Sequence, residues 1–212
     1  MLNQERACIR YAFRKSMGKP IRIQFGAGGH IKSGWINVDL DTSQGANKIC
    51  DMEKFPYPFP DNYADEILCE MTLEHIRTPT KAINEFHRII KPHGIVRITV
   101  PHFSHAYALA ADNHISVFNV GYFWGRKIDK VDLFNKTPPK NHWIKKDTEF
   151  YWNDVKVDLI FPKGYLTIVS LPFQLIFNSG KIMQALYEHF FSNFYRACEI
   201  HVVYKSKESK NR

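Results

Sequence analysis

The sequence predicts an α/β fold built on a mostly parallel sheet, and three observations point to it. Short apolar runs alternate with connecting segments through the first half of the chain, as in parallel sheets whose ligands sit at the strand carboxyl ends. The first run, Ile21, Ile23 and Phe25, leads into Gly26-Ala27-Gly28-Gly29, and the next, Trp35, Ile36 and Val38, ends on Asp39. A strand that delivers a glycine turn, beside one that delivers a carboxylate, outlines a nucleotide-type cofactor site. Third, Pro79–Lys91 is an amphipathic helix feeding another apolar run, Ile95–Val100.

The elements follow in order. Residues 3–17 form a basic helix that Gly18-Lys19-Pro20 stops. Ile21–Phe25 is the first strand, Gly34–Asp39 approaches and forms the second, and Lys48–Cys50 is a short third. Pro56, Pro58 and Pro60 hold Phe55–Asp61 extended and free of helix. Ala64–Cys69 reads as a buried fourth strand. In the helix, Ala82, Ile83, Phe86, Ile89 and Ile90 recur at helical spacing, Thr78 is placed to cap, and Pro79 takes the first position. Lys91-Pro92-His93-Gly94 ends it. Between 103 and 162 the pattern loosens into loops over the site. Tyr151–Ile160 and Glu199–Lys205 alternate like strands. Residues 159–196 are dense in Phe and Tyr, which suits either core-packing segments around Gly180 or a lid, dimer face or interfacial patch.

Only ten residues separate Gly28 from Asp39, about half of what a dinucleotide fold uses from turn to acid. A full crossover helix does not fit there. A phosphate-cradling helix N-terminus is therefore weak or absent, which argues against NAD and ATP.

Taken together, Gly26-Ala27-Gly28, Gly34-Trp35-Ile36-Asn37-Val38-Asp39, Asp51, Phe59-Pro60-Asp61, Leu73-Glu74-His75, Lys91-Pro92-His93-Gly94 and Val100-Pro101 stand in a familiar order. Over residues 20–104 the chain resembles the class I S-adenosylmethionine-dependent methyltransferases, in particular the type 11-like group. The resemblance implies a Rossmann-like methyltransferase sheet with an antiparallel C-terminal strand, Glu199–Lys205, in a single domain. It implies S-adenosyl-L-methionine as cofactor, a sulfonium compound with a carboxylate and no phosphate, which agrees with the short crossover. One departure is His93, where the family usually carries glycine.

The resemblance places Gly26, Ala27, Gly28, Asp39, Leu40, Asp51, Met52, Glu70 and His75 around the cofactor. Asp39 would hold the ribose, Asp51 the adenine amine, and Met52 would pack the ring. Glu70 ends the fourth strand, where methyl group and substrate should meet. His102, His105, Asp112 and His114 cluster in sequence past the fifth strand. Histidine is the natural base for removing a hydroxyl proton, so His102 and His114 are the catalytic candidates. These four residues could also ligate a metal, but histidines at i and i+3 need a helix, and Pro101 and Phe103 favour extended chain. No metal is expected.

Composition narrows the function. The net charge is +8, with the excess confined to residues 1–22 and 205–212. Residues 23–204 are neutral, whereas a nucleic-acid enzyme spreads basic residues around its site. The basic ends suit either a solvated helix face and tail or contact with an anionic surface. Four scattered cysteines, Cys8, Cys50, Cys69 and Cys198, predict reduced thiols. No spanning helix and no secretory leader are read, so the expected location is cytoplasmic, including the inner face of the membrane. The expected partners are a small-molecule or glycan acceptor, with membrane-surface association or a homodimer besides, and no nucleic acid. The expected activity is methyl transfer to a hydroxyl of a small molecule or sugar. A catalytically idle cofactor-binding subunit and an RNA or protein methyltransferase are the alternatives.

Overall fold

The computed structural model describes residues 18–123, 154–162, 167–192 and 196–206. The expected basic helix at 3–17, residues 151–153 of the expected strand and the basic tail from 207 lie outside the described residues. The strands are β1 (Arg22–Phe25), β2 (Ile36–Asp39), β3 (Lys48–Ile49), β4 (Ala64–Glu70), β5 (Ile90–Pro101), β6 (Asp154–Ile160) and β7 (Glu199–Lys205). A 3-10 turn at Leu73–His75 precedes helix α1 (Pro79–Ile89). Short helices α2 (Ala106–Ala110) and α3 (Val120–Phe123) follow β5. Helices α4 (Thr167–Phe177) and α5 (Lys181–Leu186) follow β6, with a π-helical turn at Tyr187–Phe191.

These strands form a seven-stranded sheet in the order β3-β2-β1-β4-β5-β7-β6. Neighbours among β3, β2, β1, β4 and β5 run parallel. β7 is antiparallel to both β5 and β6. The chain moves outward from β1 to β3, then returns to the other side of β1 at β4. That reversal opens a crevice at the carboxyl ends of β1 and β4, where sheets of this kind bind ligands. Among the described residues no helix joins β1 to β2, in keeping with the ten-residue gap.

Burial explains the parallel strands. Ile21, Ile23 and Phe25 are fully buried, as are Ile67 and Cys69 in β4 and Val96, Ile98 and Val100 in β5. The Phe25 ring packs on Phe86 of α1 (centroids 4.9 Å), on Tyr57 (5.3 Å) and on Phe59 (5.8 Å). Tyr57 and Phe59 come from the proline-rich connection, which Arg88 of α1 pins. Its guanidinium donates to the carbonyls of Tyr57 (3.1 Å) and Phe59 (2.8 Å), to Asp61 (2.7 Å) and to Glu85 (2.6 Å). Glu85 in turn accepts the Tyr57 N–H at 2.6 Å. The aromatic segment at 159–196 sends Phe161, Phe173, Phe177 and Tyr187 into one cluster, while Leu171, Leu175 and Ile176 face outward. Among the described residues no helix is long and apolar enough to cross a membrane.

Two boundaries differ from expectation. Helix α1 stops at Ile89, and β5 begins at Ile90 rather than Ile95. The Lys91–Gly94 turn is absorbed as an irregularity within β5, where its pairing with β4 shifts. His93 sits there at φ +64°, the left-handed region that glycine occupies freely. This explains why glycine suits the position. The histidine backbone is held by the His93 N–H to Ser206 carbonyl bond (2.9 Å) and the return bond from Ser206 N–H to Gly94 carbonyl (3.0 Å).

A side chain in this conformation costs about 1–2 kcal/mol, partly offset because glycine loses more chain entropy on folding. His93→Gly should therefore stabilise the protein by about 0.5–1 kcal/mol. Denaturant titration checks this; a lower midpoint would show that the imidazole makes contacts worth more than the strain.

Candidate active site

The glycine turn follows β1 directly. Gly26 has φ +66° and Gly28 φ +49°. A Cβ on Gly26 would lie 2.1 Å from Thr72 Oγ1 and 2.7 Å from Thr72 Cβ, so no side chain fits. Thr72, just past β4, is itself held by donating its hydroxyl to the Glu70 carbonyl (2.8 Å). At Gly28 the situation is opposite, since a Cβ would meet nothing within 4 Å. Gly26 is thus closed against β4, and Gly28 borders open space at the carboxyl ends of the strands.

Asp39 ties this turn to β2. Its Oδ2 accepts the Gly28 N–H (2.7 Å) and its Oδ1 accepts the Leu40 N–H (2.7 Å). Each carboxylate oxygen has a second lone pair, so ribose hydroxyls can be bound without breaking either bond. Leu40 is 66% exposed and offers an apolar side chain beside the acid. The Asp51 carboxyl lies below the usual carboxylate range because it accepts the Glu53 N–H, with Lys54 nearby at 3.2 Å. Met52 is 8% exposed and packs in the core. Glu70 lies 3.6 Å from Lys32 Nζ, and Met71 next to it holds φ +46° with its N–H on the Thr99 carbonyl. Thr72 was not foreseen from the sequence: nothing local marks it, and its role comes from pairing β1 with β4.

The histidines divide into two groups. His102 is 0% exposed. Its Nε2 faces Glu188 Oε1 (3.2 Å), so it donates there, and its Nδ1 accepts from Ser104, whose hydroxyl lies 2.8 Å away. Glu188 Oε1 also accepts the Val120 N–H (2.6 Å). Expected as a base, His102 instead links β5, α3 and the π-helical turn, and both of its nitrogens are engaged.

His75 and His114 come together, with ring centroids 4.9 Å apart. The 111–116 loop is stitched to the Leu73–His75 turn. The Ile115 and Ser116 N–H groups donate to the Glu74 carbonyl (2.7 and 2.9 Å), and the Ser116 hydroxyl donates to the Ile76 carbonyl (2.6 Å). Tyr107 of α2 covers His114, centroids 4.9 Å apart. Glu74 between them is 1% exposed, and burial pushes its carboxyl up. His105 and Asp112 do not join this group, which Glu74 joins instead. The Cys50 and Cys69 thiols are poor nucleophiles: burial pushes Cys50 up to about 11 and raises Cys69 further.

Residues 32–98, about a third of the chain, match the family model described as a methyltransferase domain. No curated protein matches by sequence. Solved structures show the fold. An S-adenosylmethionine-dependent methyltransferase from Archaeoglobus fulgidus is 15% identical, with TM-score 0.54 over 96% of this chain and 94% of that one. A Mesorhizobium loti S-adenosylmethionine-dependent methyltransferase is 12% identical, with TM-score 0.51 over 88% and 90%. Phosphoethanolamine N-methyltransferase 2 of Haemonchus contortus, solved with S-adenosyl-L-methionine, is 16% identical, with TM-score 0.51 over 93% of this chain and 52% of that one. The chain carries the fold of these S-adenosylmethionine-dependent methyltransferases, and residues 32–98 match a methyltransferase domain.

The open face at Gly28 fits such a cofactor. Gly28→Val should abolish cofactor binding in a folded protein, because its bulk would take up that space. Asp39→Ala should weaken binding by about 1–3 kcal/mol through lost charge-assisted hydrogen bonds and a loosened turn. Calorimetry decides both, and normal affinity in either folded variant would move the cofactor elsewhere.

Proposed function

We propose that this protein transfers a methyl group from S-adenosylmethionine to a hydroxyl of a small molecule or sugar. The observation that carries the reading is a buried imidazole nitrogen, His114 Nε2, that has no hydrogen-bond partner, on a ring packed against His75. Glu74 and His75 follow Thr72 by two and three residues, and Thr72 closes on Gly26. The cofactor supplies an already activated sulfonium methyl, so the residues need to do two things. The glycine turn and Asp39 hold and orient the nucleoside end. The other requirement is loss of the acceptor's proton, and we assign a part in that step to the free Nε2 lone pair of His114 rather than to His102.

The assignment rests on free lone pairs. His102 has none to offer, since it accepts from Ser104 and donates to Glu188. His114 Nδ1 faces the Ala108 carbonyl (3.3 Å) and so carries the proton, leaving Nε2 as an acceptor. The neutral charge of residues 23–204 supports a small acceptor over a nucleic acid.

His114→Ala should lower turnover on the true acceptor about 100-fold or more while cofactor affinity stays near wild type. His102→Ala should behave differently, lowering the melting temperature by leaving Glu188 and Ser104 short of a partner. Wild-type turnover in His114→Ala would take His114 out of the step.

A further inference from the structure

Glu74, His75 and His114 each present one ligand-type atom, and the three atoms lie within 4.8 Å of one another. Hydrogen bonds show which imidazole nitrogens have a lone pair to offer. His75 Nδ1 is 3.0 Å from the Asn113 carbonyl, and a carbonyl can only accept. The proton therefore sits on Nδ1, and the Nε2 lone pair is left for the cluster. The same logic at the Ala108 carbonyl leaves His114 Nε2 as a lone pair, which is buried and without a partner. Glu74 Oε2 is likewise buried and unpartnered, on a side chain that is 1% exposed.

Glu74 as the carboxylate and the two imidazole nitrogens thus converge as three acceptors. Buried acceptors left unsatisfied are costly. One water has two protons and can serve two of the three. A cation can serve all three at once. We propose that Glu74, His75 and His114 bind one divalent transition-metal cation of the zinc, manganese or cobalt type. Two imidazoles and a carboxylate are the ligand set such ions favour, and magnesium or calcium would prefer oxygen alone. Three protein ligands leave a coordination position for a further group, the pattern of a catalytic rather than a structural site. The Asn113 and Ala108 carbonyls orient the two rings, as outer partners of metal-bound histidines do. The stitching of the 111–116 loop to the Leu73–Ile76 turn holds both halves of the site together before any ion arrives.

The role of the cation rests on the hydroxyl-acceptor reading above. An acceptor hydroxyl bound at the open position becomes more acidic and gives its proton to solvent. The oxygen then forms the bond to the methyl carbon as the carbon–sulfur bond breaks, and the sulfur keeps that electron pair. His114 serves this step as a ligand, so its loss removes the cation.

The test uses the full chain, freed of metal by a chelator and titrated with Co2+. We expect one equivalent to bind, with visible absorption bands of a nitrogen- and oxygen-ligated ion. Glu74→Gln and His114→Ala should each weaken binding at least 10-fold while S-adenosylmethionine still binds. If Glu74→Gln does not fold, His114→Asn on the surface loop decides. Absence of stoichiometric binding, or binding that neither variant weakens, overturns the site. Hydroxyl methylation that survives complete metal removal overturns its part in deprotonation. Stoichiometric Co2+ lost in the variants, with no turnover on any hydroxyl, upholds the site and rejects the acceptor reading.

Discussion

Contact between the glycine turn and Thr72 governs the geometry of everything around it. Gly26 must have no side chain because Thr72 fills the place a Cβ would need. That contact joins the carboxyl end of β1 to that of β4 at the point where strand order reverses. From it, two residues of chain lead to the Glu74–His75 turn, and Asp39 reaches in from the β2 side to hold Gly28. The glycine turn and the Glu–His–His cluster are therefore set out from one junction. A side chain at Gly26 would collide with Thr72 and push these apart.

The short β1–β2 connection follows from the same junction. A helix there would bring a positive N-terminus up to the ligand, useful for phosphate. The loop instead lets a carboxylate bond two backbone N–H groups and keep lone pairs for hydroxyls. This chemistry suits a nucleoside with a cationic sulfur better than a dinucleotide. Tyr57 and Phe59 of the proline-rich connection pack on Phe25 and are held down by Arg88.

The parts of this arrangement encoded over short stretches of chain were legible in the sequence. Apolar runs gave β1, β2 and β4 nearly to the residue, helical spacing gave α1, and alternation gave β7 at Glu199–Lys205. The glycine turn and Asp39 could be read because strand, turn and acid are adjacent in sequence. What could not be read depends on residues far apart. His102 and His114 look alike from their neighbours in the chain. Glu188, eighty-six residues on, occupies one, while the Asn113 and Ala108 carbonyls set the proton positions at the other cluster. Thr72 and the His93 backbone belong to the same class, since each is explained only by a strand or segment that pairs across the sheet.

In the proposed function the nucleoside lies on the open face at Gly28 and Asp39, beside the Glu74–His75–His114 cluster. A crystal structure of the full chain with S-adenosylhomocysteine tests it most directly. Both ribose hydroxyls should lie on the Asp39 carboxylate, with Gly26 to Gly28 against the amino-acid end and the thioether sulfur turned toward the cluster. A nucleoside bound away from Asp39, or a sulfur facing away from His75 and His114, would contradict it.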